Sequence, residues 1–315
     1  VAAGAFIPIV DMGPVRAGDT VEAGRALREA FLGSGFCYVT NHGVPEAVIA
    51  QAAEQALSFF RLPLDEKLKS KPRESVRGFN AIGSIKVRGA AAPDYKELFQ
   101  MGLELPADDL SVLAGQPRGP IPWPEAAPGF QPAMKAYFDA IGRSGQHLLR
   151  AVCASLDIAE DFFAGKYAKS MQRTQALYYP PHPPGDDPQL FGGASHTDYG
   201  CITLLWQDDS GGLEVQDRAG DWVRAPPIPG TLVVNIGDLL QRWSNDRYVS
   251  NHHRVTNRSG RERVSIATFY DPDYDTVVDP RDLGLPFGEA SRHPPVTAGD
   301  YILGRISASQ KHAAA

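Results

Sequence analysis

His196-Thr197-Asp198, then His253, then Arg263-Val264-Ser265-Ile266-Ala267-Thr268-Phe269: these short stretches decide how the chain must fold. Side chains at i and i+2 of a strand point to one face, so His196 and Asp198 share a side while Thr197 turns away. The same spacing puts Arg263 and Ser265 together in a segment whose β-branched content favours a strand. Outward from these, Arg173–Tyr179, Ile202–Trp206, Leu213–Asp217, Trp222–Arg224, Leu232–Ile236, His253–Thr256 and Val264–Tyr270 read as strands. Gly211-Gly212, Arg218-Ala219-Gly220 and Pro229-Gly230 break them. Many short strands with regular turn signals predict a barrel or jelly roll.

Two imidazoles and one carboxylate, here His196, His253 and Asp198, form a facial triad that holds non-haem Fe(II) and leaves further positions open. The same donors can hold Zn(II) with one open position for hydrolysis, and an HxD tripeptide by itself recurs freely in chains that bind no metal. The second pair narrows the choice. A guanidinium fork takes a carboxylate bidentately and a hydroxyl adds one donor, so Arg263 and Ser265 make a carboxylate clamp. Metal and clamp together describe a site for a 2-oxo acid, chelating the ion through its oxo group and C1 carboxylate while the far carboxylate meets Arg263 and Ser265.

Motifs further out carry a resemblance. Phe6-Ile7-Pro8-Ile9-Val10-Asp11, Gly35-Phe36-Cys37-Tyr38-Val39-Thr40-Asn41-His42-Gly43-Val44, the D-x-K-E-x-F element Asp94-Tyr95-Lys96-Glu97-Leu98-Phe99 and Tyr178-Tyr179-Pro180-Pro181 span the first half. With them go Gly237-Asp238-Leu239-Leu240-Gln241-Arg242-Trp243-Ser244-Asn245-Asp246 and Ser250-Asn251-His252-His253-Arg254-Val255. In these elements the chain resembles the isopenicillin N synthase-like family of Fe(II)/2-oxoglutarate oxygenases, in the form of its bacterial branch. The resemblance covers nearly the whole sequence. It implies a mainly β fold with flanking helices: a double-stranded β-helix, or jelly-roll, core with an N-terminal helical region, whose two facing sheets bring His253 to His196 and Asp198. In S-x-x-H-R-V the ligand is His253, which leaves His252 an ordinary strand residue facing the other way. Tyr179 is implied to contact the carboxylate at the metal, and Leu177 stands where many plant members carry Asn.

The resemblance further implies Fe(II), 2-oxoglutarate and O2 as cofactor and co-substrates, and oxidation of a small-molecule metabolite with release of succinate and CO2. Hydroxylation is the default; desaturation, ring closure and ethylene formation from 2-oxoglutarate also occur in the family. Two rival readings are a 2-oxoglutarate-independent Fe(II) oxidase of the same family and a non-catalytic jelly-roll module with structural Zn(II). The intact Arg263/Ser265 pair speaks against the first and open coordination against the second.

The N-terminal region, taken as 1–120, precedes a jelly-roll region over 121–315, the two forming one compact catalytic unit. Apolar spacing predicts helices over 19–34, 45–61 and 130–156, the last a buttress on one sheet. Phe36–Thr40 reads as a strand closed by a turn at Asn41-His42-Gly43, with His42 structural. Residues 73–92 and 106–129 read as loops, the first offering Lys86 and Arg88 to close over a pocket, though a solvated pair of surface charges is the better reading of both. Phe269, on Ser265's strand face, is the candidate to line that pocket, though a core role suits it equally. Arg242 and Trp243 read as packing residues.

A chain of 315 residues has ample length to bury a core. Its net charge of −6 and pI near 5.8 argue against a nucleic-acid partner, whose phosphates call for a basic face. Cys37, Cys153 and Cys201 sit in apolar stretches without CxxC spacing, which predicts buried thiols rather than disulfides or a thiolate metal site. No apolar run reaches membrane-spanning length and no signal segment opens the sequence, so the expectation is a cytoplasmic enzyme with no membrane partner. Oligomeric state is not legible.

Overall fold

The computed structural model describes residues 7–72, 77–86, 90, 92–182, 190–285 and 288–313. Its centre is the antiparallel pair β5 (Arg173–Tyr179) and β12 (Arg263–Tyr270), in register from Arg263 opposite Tyr179 to Phe269 opposite Arg173. Alternation sorts their side chains. Thr174, Ala176, Val264, Ile266 and Thr268 turn outward into the larger apolar core or its edge, with Thr174 and Thr268 joined by a 2.9 Å hydroxyl contact. Arg173, Gln175, Leu177, Tyr179 and their partners turn inward.

Around this pair lies an eight-stranded sheet in the order β1 (Ile9–Asp11), β2 (Phe36–Thr40), β10 (Leu232–Ile236), β7 (Ile202–Gln207), β12, β5, β4 (Glu97–Gly102), β3 (Gly78–Asn80). All its neighbours are antiparallel except β1 with β2. A four-stranded sheet, β6 (Gly193–His196), β11 (His253–Val255), β8 (Leu213–Gln216) and β9 (Trp222–Arg224), packs on its inner face. Between them Leu213, Val215 and Val255 meet Phe36, Tyr38, Leu98, Leu177 and Val233 in a small interior core. Strands from residues 9–102 thus flank both edges of a sheet whose middle comes from 173–270.

Helices cover the outer face. Met134, Tyr137, Ile141, Leu148 and Val152 form the buried stripe of the long helix α4 (Phe130–Leu156), spaced at three to four residues as an amphipathic helix requires. It packs against α1 (Val21–Gly33) and α2 (Glu46–Phe60), each of which turns its own apolar stripe inward. Full burial of one such side chain contributes about 1.5–3 kcal/mol, so a layer of many such residues secures the outer face of the sheet. The short α3 (Leu64–Leu68) is tied to β4 by a buried ion pair, Lys67 Nζ to Glu97 Oε2 at 2.6 Å, with Lys67 also donating to the Phe60 carbonyl.

Several expectations need adjustment. The stretch read as a loop over 73–92 contains β3, and that over 106–129 contains one helical turn at Leu110–Leu113. Strand β4 went unread because it is buried throughout, shows no alternation and carries no β-branched residue. Strand β6 stops at His196, so Asp198 stands just beyond a strand rather than on it. His252 precedes β11 and is exposed, rather than lying within the strand. A C-terminal helix, α6 (Ala298–Ala313), has no counterpart in the sequence reading. The three cysteines are buried and free.

Candidate metal and co-substrate site

The last residue of β6 and the first of β11, His196 and His253, are paired across the small sheet, their ring centroids 4.3 Å apart. Each ring is oriented from behind. His196 Nδ1 donates to the Ala194 carbonyl at 2.7 Å and His253 Nδ1 to the Asn251 carbonyl at 3.2 Å. A carbonyl only accepts, so the proton sits on Nδ1 and the Nε2 lone pair is free to bind a metal. Phe36 packs edge-on against the His253 ring.

Both Nε2 atoms converge on one oxygen: Asp198 Oδ1 lies 3.9 Å from that of His196 and 3.8 Å from that of His253. The three ligand atoms all fall within 4.8 Å of one another. The other carboxylate oxygen is spoken for, accepting from Thr203 Oγ1 at 2.5 Å and Asn235 Nδ2 at 2.7 Å. Burial opposes ionisation of Asp198, yet the two imidazoles and these two hydrogen bonds outweigh it and hold the carboxyl below its usual range. Burial, with His253 alongside, pushes His196 down to about 4. Neutral imidazole and ionised carboxylate are the forms a cation needs.

The backbone behind the triad is drawn tight. Asp238, first residue of α5 (Asp238–Trp243), donates its N–H to the Asp198 carbonyl at 2.7 Å, accepts from Thr197 Oγ1 and Ser250 Oγ, and pairs with Arg305 Nη2 of α6 at 2.6 Å. A side chain at Gly200 has no room, because a Cβ there would lie 1.9 Å from Asp271 Oδ1. Thr197 turns away from the three ligand atoms to Asp238, although it lies beyond the end of β6. His252 is exposed, with Nδ1 3.4 Å from Ser195 Oγ, and takes no part.

Two adjoining cavities open beside the triad. The smaller, about 70 Å³, is lined by Tyr179, Leu177, Lys96 and the three clustered residues. Arg263 and Ser265 do not line it. Arg263 is fully buried, its guanidinium 4.5 Å over the Tyr179 ring, donating to the Gly211 carbonyl, Ser265 Oγ and Gln207 Oε1. The larger cavity, about 220 Å³, is lined by Phe269, Lys86, Arg173 and Gln100 and shares Lys96, His196 and Asp198 with the first. Arg88 lies outside the described residues. Leu177, where Asn was a family alternative, is part of the interior apolar core.

Lys96, Thr203 and Asn235 are polar residues of the site that were missed. Lys96 borders both cavities, its Nζ 2.8 Å from Asp94 Oδ2, while Asp94 Oδ1 accepts the Ala194 N–H of β6. Burial alone would discharge Lys96, but Asp94 and the Tyr179 hydroxyl nearby more than compensate and raise its affinity for the proton. The signal was present in the D-x-K-E-x-F element, which had been used only as a family marker. Thr203 and Asn235 had no such signal, being ordinary strand residues until β7 and β10 bring them under Asp198.

A family model described as the 2OG-Fe(II) oxygenase superfamily matches residues 169–272, and one described as the non-haem dioxygenase in morphine synthesis N-terminal region matches 7–126. The 2-oxoglutarate-Fe(II) type oxidoreductase hxnY of Emericella nidulans is 35% identical over 98% of this chain and 91% of its own. Among solved structures, a full-length Neurospora crassa protein in complex with alpha-KG and thymine superposes with a TM-score of 0.85 at 30% identity, covering 96% of this chain and 97% of its own. A 2OG-Fe(II) oxygenase family structure from Caulobacter crescentus has the same TM-score at 29% identity, over 96% and 99%. No helix among the described residues is long and apolar enough to cross a membrane.

Proposed function

The chain belongs to the 2OG-Fe(II) oxygenase superfamily and is an Fe(II)- and 2-oxoglutarate-dependent dioxygenase of a small molecule; we propose that His196, Asp198 and His253 hold the iron. The observation that carries this is the division of labour in the cluster: Nδ1, Nδ1 and Oδ2 are all engaged by protein groups, and Nε2, Nε2 and Oδ1 converge on one another. Two neutral imidazoles and one carboxylate suit Fe(II) and leave one side open. When bound, the iron supplies the oxidative chemistry that couples loss of CO2 from 2-oxoglutarate to oxidation of a substrate carbon.

Around it the chain's own residues bind and orient. Arg263, Ser265 and Tyr179 hold the co-substrate, its far carboxylate meeting the guanidinium and hydroxyl while Tyr179 contacts the carboxylate nearer the metal. The preset of Arg263 on Ser265 and over Tyr179 supports this. Phe269 and Lys86 bound the prime-substrate pocket, which excludes water from the reacting carbon. Residues 1–120 and 121–315 act as two regions of one catalytic unit. The form of the 237–246 and 250–255 elements supports the bacterial branch. Three unpaired buried thiols suit a cytoplasmic protein, and the net charge of −6 suits a metabolite rather than nucleic acid as partner.

The test is release of succinate and CO2 from 2-oxoglutarate, measured with iron and with candidate metabolites present or absent. Turnover that needs iron and rises with a metabolite is expected. Substrate oxidation with no consumption of 2-oxoglutarate would sink the reading.

A further inference from the structure

Strands β5 and β12 present their inward residues as opposed rungs: Tyr179 with Arg263, Leu177 with Ser265, Gln175 with Ala267, Arg173 with Phe269. At roughly 3.3 Å per residue, the first and last rungs stand about 20 Å apart. The first rung is assigned above to 2-oxoglutarate. The last carries a second guanidinium with nothing yet assigned to it.

Arg173 is only 17% exposed, and its guanidinium lies 4.9 Å over the Phe269 ring at the wall of the larger cavity. Its one side-chain hydrogen bond among the described residues is long, Nη2 to Asp271 Oδ2 at 3.5 Å, and its buried Nε meets no acceptor among them. A guanidinium offers five donors in a fixed fork, so most of this one's capacity is unused in a place where water has little access. Asp271 is fully buried and accepts the Cys201 N–H at 2.7 Å, so it steadies Arg173 from behind without entering the cavity. Arg77 and Arg118, which share a small cavity with Arg173, are instead directed at backbone carbonyls of Gly119 and Lys169.

Charge points the same way. The larger cavity is bordered by three cations, Lys86, Lys96 and Arg173. Lys96 is matched by Asp94 and Arg173 faced by Asp271, while Asp198 is committed to the metal. Lys86 has no acidic partner among the described residues, so the cavity keeps an excess of positive charge. Such a site favours an anion.

We propose that Arg173 sets prime-substrate specificity and that the substrate is a small organic acid, its carboxylate seated on the Arg173 fork and its oxidisable carbon directed at the triad. This rests on the assignment of the triad and of the Arg263 end made above. Fork and carboxylate match bidentately, and Phe269 supplies the apolar wall beside the acid's carbon frame.

The probes are three acid and amide pairs: benzoate and benzamide, phenylacetate and phenylacetamide, hexanoate and hexanamide. Binding to the full chain is measured by titration calorimetry with Mn(II) in place of iron and saturating 2-oxoglutarate, which keeps the probes off the Arg263 end. At least one acid is expected to bind, with its amide weaker by about tenfold or more. Arg173→Gln should weaken that acid by a similar factor, Arg173→Lys should recover part of the loss, and 2-oxoglutarate should bind both variants as it binds the parent, which also reports that they fold. The proposal is overturned if no acid binds, if acid and amide bind alike, or if Arg173→Gln leaves acid binding intact. Failure of the underlying assignment looks different: 2-oxoglutarate itself then fails to bind, or binds without regard to Arg263→Lys.

Discussion

Asp198 has one oxygen for the metal and one for the protein, and this split decides what substitutions there will do. Asp198→Ala removes the only anionic ligand and strands Thr203 and Asn235 without their acceptor; iron content and turnover should both vanish. Asn235→Ala leaves the ligand but frees its orientation, which should cost on the order of 10- to 100-fold in metal affinity, read by chelator competition. His252→Ala should retain iron and turnover, being exposed and outside the cluster; equal loss in His252→Ala and Asp198→Ala would reverse the choice between the paired histidines. Arg263→Lys keeps charge and loses the fork, so 2-oxoglutarate affinity should fall by about 2 kcal/mol, the scale of a charge-assisted hydrogen bond. The grouping of His196, Asp198 and His253 was legible from residue type and motif, and that of Arg263 with Ser265 from i, i+2 spacing on a strand. Thr203 and Asn235 were not, since support from behind depends on which strands become neighbours.

Elements read well where alternation, helical spacing or β-branched residues mark them, and poorly where none of these is present. Strands β5, β9 and β10 and helix α4 fall on the residues predicted for them; β10 is buried throughout and does not alternate, but its β-branched Val233, Val234 and Ile236 mark a strand. Strand β4 has no exposed face, and its Glu97 is buried. That glutamate is the buried partner of Lys67, so Glu97→Ala leaves an uncompensated ammonium between α3 and β4. Removal of one member of a buried pair costs about 3–5 kcal/mol, which should appear as a lower midpoint in urea. A loss near zero would mean that water reaches Lys67. On β12 the inward face sets a different expectation: Phe269→Ala should alter prime-substrate affinity or the position oxidised while 2-oxoglutarate binds as before. Joint loss of 2-oxoglutarate binding and thermal stability would make Phe269 a core residue instead.

For the molecule as a whole, the jelly roll was legible from turn spacing and motifs, but the way the ends close it was not. Strands β1 to β4 complete both edges of the large sheet, a pairing no local pattern encodes. Helix α6 shows weak amphipathicity, yet Arg305 reaches Asp238 and the Tyr199 ring, and Ile306 borders the larger cavity. Ending the chain after Thr297 should open that cavity to solvent. Succinate should then form in excess over oxidised substrate, because the substrate carbon is no longer held against the metal; tight one-to-one coupling in the shortened chain would refute this. The ladder of β5 and β12 has a further consequence. Its rungs are fixed by backbone pairing, so the spacing between the Arg263 and Arg173 ends cannot be tuned by side-chain motion. The paired strands act as a ruler, and one residue inserted into either would turn every rung beyond it to the outer face, taking one guanidinium out of the interior altogether.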